Sequence, residues 1–264
     1  MGTGKNVMEV FKVLEKSNCR LCGEKTCLAF AGAVFKGTRR IAECPRLKPE
    51  TVAAFASGGE ESVDELQREL EAMKAAVVAL PFDEAAARIG GEASGDLLRF
   101  KILGKPFAIR KDGTFVTDLH VLPWVIVPVL HYVLNCRGQA LSGSWVSYRE
   151  LPGGKEKYAL FQRRGEEVLR QLADNYPDFF DDVLHMFDGK EVEQHFQADI
   201  SVVLRPLPLL PVMICYRKAE EGMESSLNVF FDDSAGDNLG ADVLFSLITG
   251  IVRMLEKLAV HHGF

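Results

Sequence analysis

At 264 residues and 47% hydrophobic content, the chain is long enough for one large domain beside a small one, and too apolar to be disordered. Its charge is divided: residues 1–50 carry ten Lys/Arg and five Asp/Glu, a net of +5, whereas the remaining 214 carry 21 and 32, a net of −11. The acidic bulk argues against nucleic-acid binding, and neither Met1–Val13 nor the interrupted apolar stretch Val121–Leu134 reads as a leader or a membrane span, so a soluble, cytoplasmic protein is expected.

Lys5–Lys16 reads as a helix with Val7, Val10, Phe11 and Leu14 on one face. Next come Cys19, Cys22 and Cys27, with Cys44-Pro45 after a gap of sixteen residues, a C-x2-C-x4-C-x16-C spacing. Four thiolates are what a 4Fe–4S cluster needs, the close trio wrapping one corner and the distant cysteine closing the cage. Zinc is the main competing ligand, but its usual second knuckle is missing and no histidine precedes His120. Inert thiols are the remaining alternative. Pro45 keeps a helix from running through the last ligand. Thr26 is the expected N-cap of a helix through Phe35 that stops at Gly37, which sets positive dipole beside Cys27. The basic surroundings of the cysteines would steady a reduced cluster and steer an acidic redox partner, or simply solvate a small domain.

The segment Cys19-Arg20-Leu21-Cys22-Gly23-Glu24-Lys25-Thr26-Cys27-Leu28-Ala29-Phe30-Ala31, closed by Cys44-Pro45, resembles the N-terminal 4Fe–4S domain of the large subunit of corrinoid iron–sulfur proteins. Arg20 stands where many members have glycine. The resemblance covers about residues 5 to 48, and no corrinoid-carrying barrel follows it. It implies a low-potential cluster working in anaerobic metabolism, with a corrinoid protein as the partner.

A short helix after Pro49 is expected to lead to a boundary at Ser57-Gly58-Gly59. Beyond it, the capping box Ser62-Val63-Asp64-Glu65 opens a helix striped by Val63, Leu66, Leu70, Met73, Val77 and Leu80. The expected organisation is a cluster-binding domain over 1–57, a connecting helix over 58–80 and a larger domain over 81–264.

In that larger domain, Leu97–Leu103 and Pro106–Arg110 read as strands joined at Gly104, and Lys111-Asp112-Gly113 turns into Thr114–Thr117. Val125–Val133, Glu156–Ala173 and Asp178–Phe187 read as helices, and Ile200–Leu204, Val212–Tyr216 and Leu227–Phe231 as strands. A striped helix from about Leu239 to Val260 closes the pattern. Strands come in groups rather than alternating with helices, which predicts an α+β fold. Pro206, Pro208 and Pro211 are expected to mark an edge strand or a crossing, and Asp237 or Asn238 the N-cap of the last helix.

Leu141-Ser142-Gly143-Ser144-Trp145-Val146-Ser147-Tyr148-Arg149-Glu150-Leu151-Pro152-Gly153-Gly154, with Phe230-Phe231-Asp232, resembles the signature of an uncharacterised domain found fused to such cluster modules in anaerobes. The resemblance implies no reaction. Within the signature, Trp145 and Tyr148 could stack on a planar ligand such as a corrinoid or another tetrapyrrole while Arg149 clamps an anion. The competing reading is a structural corner turned by Pro152-Gly153-Gly154. Cys136, Cys215 and the six histidines carry no metal-ligand spacing, and no catalytic residue is identified. Phosphate loops, dinucleotide turns and nucleophile elbows are absent, which speaks against a self-sufficient ATP- or nicotinamide-dependent enzyme. The chain therefore reads as an iron–sulfur electron-transfer or reductive-activation protein. A cluster-dependent reductase or cofactor-binding protein, and an interaction module with a structural cluster, are the alternatives.

Overall fold

The computed structural model describes residues 7–35, 38–119 and 123–262, with the side chains of 53–66, 123–124 and 260–262 left aside. The predicted helix start at Lys5, the stop at Gly37, and His120 lie outside the described residues. The chain divides into two compact units, with the division between Ala72 and Met73.

The first unit is helical. Helix α1 (Val7–Val13) and helix α2 (Cys27–Phe35) flank the cysteine loop, and a 3-10 turn over Ile41–Glu43 follows. Val10, Leu14, Phe30, Ala31, Val34, Ile41 and Cys44 form the unit's buried cluster. Helix α3 (Pro49–Ala79) then runs for 31 residues, with proline at its first position where the missing N–H costs nothing. The expected break at Ser57-Gly58-Gly59 and fresh start at Ser62 are not present. Glycines cost about 1 kcal/mol each in a helix but leave the hydrogen-bond ladder intact, and alanine, glutamate and leucine on either side favour continuation.

The second unit is α+β. After helix α4 (Phe82–Ile89), strands β1 (Glu92–Ser94), β2 (Leu97–Ile102), β3 (Lys105–Arg110) and β4 (Phe115–Thr117) form an antiparallel meander in that order. Leu103 and Gly104 join β2 to β3 with φ of 48° and 75°, the paired left-handed geometry of a two-residue hairpin. A Cβ on Gly104 would come within 2.5 Å of the Asp188 Cβ, so glycine is required there for space as well as for conformation.

Helix α5 (Pro123–Asn135) and strand β5 (Trp145–Ser147) follow. The predicted helix over Glu156–Ala173 is a segmented run: a 3-10 turn (Lys155–Lys157), α6 (Tyr158–Phe161), a π turn (Gln162–Glu166) and α7 (Glu167–Asn175). Then come α8 (Phe179–Phe187), β6 (Lys190–Glu191), β7 (Ile200–Leu207), β8 (Leu210–Arg217), β9 (Ser226–Asp232), the single turn α9 (Ala235–Asn238) and α10 (Ala241–His262). The second sheet is antiparallel in the order β5-β9-β8-β7-β6.

Strand β8 is buried on every residue up to Tyr216 because both faces of this sheet are covered. On one side Leu244, Leu247, Ile248 and Ile251 of α10, with Leu169 of α7, join the core. On the other, Ala198, Met213 and Cys215 form a separate cluster with Trp145, Val192 and Phe230. Pro206, Pro208 and Pro211 mark neither an edge nor a crossing; they surround the tip of the β7–β8 hairpin, where the register shifts between Leu204 and Leu207.

Candidate metal centre

All four cysteines of the motif stand in the first unit as free thiols. Cys44 is buried in its core, with Cys22 and Cys27 packed against the same cluster. Cys44 ends the 3-10 turn in extended backbone, its N–H donating to the Ile41 carbonyl at 3.1 Å, and Pro45 follows. Cys27 is the first residue of α2, where the Thr26 hydroxyl accepts the Ala29 N–H at 3.0 Å, as the predicted cap requires.

Between the helices the backbone is irregular. Lys16, Asn18, Arg20 and Gly23 have φ of 59°, 49°, 63° and 83°. For the three non-glycine residues this conformation costs about 1–2 kcal/mol each, and such strain concentrates at functional sites. Asn18 contributes most visibly. Its Oδ1 accepts the Cys27 N–H at 2.8 Å, and its own N–H donates to the Cys27 Sγ at 3.3 Å. The Leu21 backbone N–H, helped by Ser17 and Arg46, holds the Cys19 thiol below its ordinary pKa.

The basic surroundings are partly neutralised locally. Arg39 pairs with Glu43 at 3.1 Å and Glu24 at 3.8 Å, and Arg46 with Glu15 at 3.7 Å. Leu21 and Leu28, next to Cys22 and Cys27, are exposed. Among the described residues, no three His, Cys, Asp or Glu side chains are gathered closely enough to hold a metal ion. The donor set itself, four thiols and nothing harder, suits an iron–sulfur cluster or zinc and not a hard cation.

Trp145, Tyr148 and Arg149 are not brought to one site. Tyr148 is 0% exposed and stacks on Phe161 with ring centroids 4.4 Å apart. Its hydroxyl donates to the Ala241 carbonyl at 3.0 Å, and burial pushes its pKa up to about 12. Trp145 belongs to the cluster on the outer side of the second sheet, while Arg149 is exposed. The structural corner is therefore the arrangement observed for Tyr148.

The chain leading into this corner is secured by Asp232, which the sequence marks as the end of the Phe230-Phe231-Asp232 pattern. The Asp232 carboxylate, 2% exposed, accepts the N–H groups of Ser142, Gly143 and Ser234 and the hydroxyls of Ser142 and Ser234, at 2.6 to 3.2 Å. Burial pushes its pKa up, but the Ser234 hydroxyl and the N–H groups of Ser142, Ser234 and Gly143 outweigh it and leave the carboxyl below its ordinary value. Asn238, expected as a helix cap, instead exchanges two hydrogen bonds with the backbone of Gln139 at 2.8 and 2.9 Å, and α10 starts after Gly240. No side-chain distance in the sequence pattern could announce pairings spanning 90 or more positions; the acidic run Asp232-Asp233 was the available signal.

Two family models match the chain, one within each unit. Residues 14–46 match the family model described as "Putative Fe-S cluster". The chain is 35% identical over 85 residues to the acetyl-CoA decarbonylase/synthase complex subunit gamma 1 of Methanosarcina thermophila. It is 34% identical over the same length to subunits gamma 2 of Methanosarcina mazei and gamma of Methanosarcina acetivorans. Each match covers 32% of this chain but 17% of the relative. No solved structure matches. No helix among the described residues is long and apolar enough to cross a membrane. Residues 81–254, which hold both sheets and the Asp232-pinned corner, match the family of the domain of unknown function DUF3786, and the chain belongs to that family.

Proposed function

We propose that the protein is an electron-transfer or reductive-activation protein whose 4Fe–4S cluster is held by Cys19, Cys22, Cys27 and Cys44. The observation that carries this reading is that all four cysteines fall in one small unit, with Cys22, Cys27 and Cys44 at its hydrophobic cluster and Cys27 at a capped helix start. The cluster would supply one-electron redox chemistry. The chain's own residues hold the thiolates, direct N–H groups at sulfur, as Asn18 does toward Cys27, and keep Cys44 from water. Ligand sites often close only when the metal arrives, so assembly is expected to draw the cysteines together.

In this reading residues 1–57 are the cluster-binding domain, 58–80 a connecting helix and 81–264 the α+β domain. The electron acceptor is a protein partner, with a corrinoid protein the candidate, supported by the resemblance of the cysteine segment to corrinoid iron–sulfur modules and by the relatives' membership of a multi-subunit complex. An anaerobic, reducing cytoplasm suits such a cluster.

The test is an anaerobic redox titration followed by electron paramagnetic resonance, with iron and zinc counted on the same sample. About four irons per chain and a reversible low-potential signal are expected. Zinc in place of iron, or a cluster silent at every accessible potential, would overturn the electron-transfer reading.

A further inference from the structure

A second site lies wholly within the α+β unit, away from the corner of Trp145, Tyr148 and Arg149. A cleft of about 670 Å³ opens over the face of the first sheet that points away from Leu98 and Ile102. Its size falls within the range of pockets that take small organic molecules. The register builds its floor: Glu92, Arg99, Ala108 and Val116 form one cross-strand row through β1, β2, β3 and β4, and Lys101 pairs with Pro106 in β2 and β3. The tip of the β7–β8 hairpin, with Arg205, Pro208 and Leu209, supplies a wall. That tip is fixed in place: the Leu209 N–H donates to the Tyr132 hydroxyl at 3.1 Å, and the Leu103 N–H to the Pro206 carbonyl at 3.2 Å.

Three cations are among the charged side chains of this cleft. Arg99, Lys101 and Arg205 all line it, and among the described residues none of their side chains makes a hydrogen bond or ion pair. Two carboxylates, Glu92 in the floor row opposite Arg99 and Asp188, also line the cleft, and neither lies within ion-pair distance of a lining cation. Three unpaired cations beside an apolar floor of Ala108, Val116, Pro106 and Leu209 form a site for a molecule that is apolar over most of its surface and anionic at one end.

We infer that this cleft binds an amphipathic organic anion, with Arg99, Lys101 and Arg205 taking a carboxylate, sulfonate or phosphate group while Pro106, Ala108, Val116 and Leu209 hold its apolar body. Charge-assisted hydrogen bonds are the stronger kind, and arginine presents a fork matched to such oxygens. The sequence offers no motif for the site because its residues come from separate elements that only the fold brings together.

The probe is 8-anilinonaphthalene-1-sulfonate, an aromatic body with one anionic group, titrated by calorimetry into the full chain. Its uncharged analogue N-phenyl-1-naphthylamine is run in parallel. Saturable binding of one sulfonate per chain is expected, loosened about tenfold by Arg99→Ala or Arg205→Ala, as loss of one charged hydrogen bond implies. The uncharged analogue should bind more weakly and ignore both arginine changes. Ala108→Phe, which fills the floor, should remove binding, with circular dichroism checking that the fold persists. Cys19→Ser should leave binding intact, so loss of the cluster and loss of the cleft are read separately. Absence of saturable binding, or sulfonate affinity unmoved by both arginine variants, would overturn the inference.

Discussion

Asn18 holds Cys27 from two directions, its Oδ1 accepting the Cys27 N–H at 2.8 Å and its N–H donating to the Cys27 Sγ at 3.3 Å. The side-chain bond fixes the loop in the left-handed turn that aims the backbone N–H at sulfur, since Asn18 has a φ of 49°. Asn18→Ala removes the acceptor and leaves an alanine in a conformation it resists. An N–H directed at sulfur stabilises the more negative, reduced cluster, so weakening it should lower the potential. With a hydrogen bond worth about 1 kcal/mol, the shift is about 40 mV for one electron. Redox titration of the two proteins side by side checks the sign; an unchanged potential would separate Asn18 from the cluster.

The cysteines sort into two groups by environment. Cys22, Cys27 and Cys44 share one hydrophobic cluster in the unit that also holds Cys19, whereas Cys136 and Cys215 are buried in the other unit, where burial pushes both thiols up. Serine at any of positions 19, 22, 27 or 44 should cost most of the iron. Serine at 136 or 215 should leave the iron count at about four per chain. Iron analysis of all six variants is the measurement, and iron retained after loss of Cys44 would remove it from the ligand set.

Helix α2 was legible because Thr26 advertises its cap, and the β2–β3 hairpin because Gly104 sits between two alternating runs. Strands β1, β5 and β6, of three, three and two residues, are too short to carry a period, and they pair only because longer neighbours offer an edge. The stripe of α3 was legible through Met73 and Val77, both buried, while its continuity across two glycines was not. Arg20 is instructive in a different way. Its φ of 63° supplies a physical reason for the glycine that resembling modules carry there, a constraint invisible until the backbone is seen. Long-range pins such as Asn238 to Gln139 leave no local trace at all.

Asp232 accepts five hydrogen bonds, so Asp232→Ala would leave the buried Ser234 N–H without its partner and hand the N–H groups of exposed Ser142 and Gly143 to water. A loss of about 2 kcal/mol is expected, read by thermal or denaturant unfolding. Because the folded carboxyl lies below its ordinary pKa, its contribution is present above the usual carboxylate range and is lost as pH falls through the folded value. The variant should therefore show a shallower acid limb than the parent. Equal acid limbs would mean that this carboxylate is not what acid attacks.

Glu166 shows the opposite sign. It closes the π turn at 5% exposure, and its Oε1 accepts the Val229 N–H at 3.0 Å. Burial pushes its pKa up to about 7, only partly opposed by that bond. Well below an ordinary glutamate pKa the group is protonated in both folded and unfolded chains and has no effect on pH dependence. From about pH 4.5 to 7 the unfolded chain ionises while the folded chain keeps its proton, so stability falls as pH rises; above that range the penalty is constant. The full difference is on the order of 3 kcal/mol. Glu166→Gln keeps an oxygen for the Val229 N–H and cannot ionise. It should therefore match the parent's melting temperature near pH 5 and exceed it near pH 8. A parent whose stability between those values parallels the glutamine variant would show that the buried carboxyl does not titrate there.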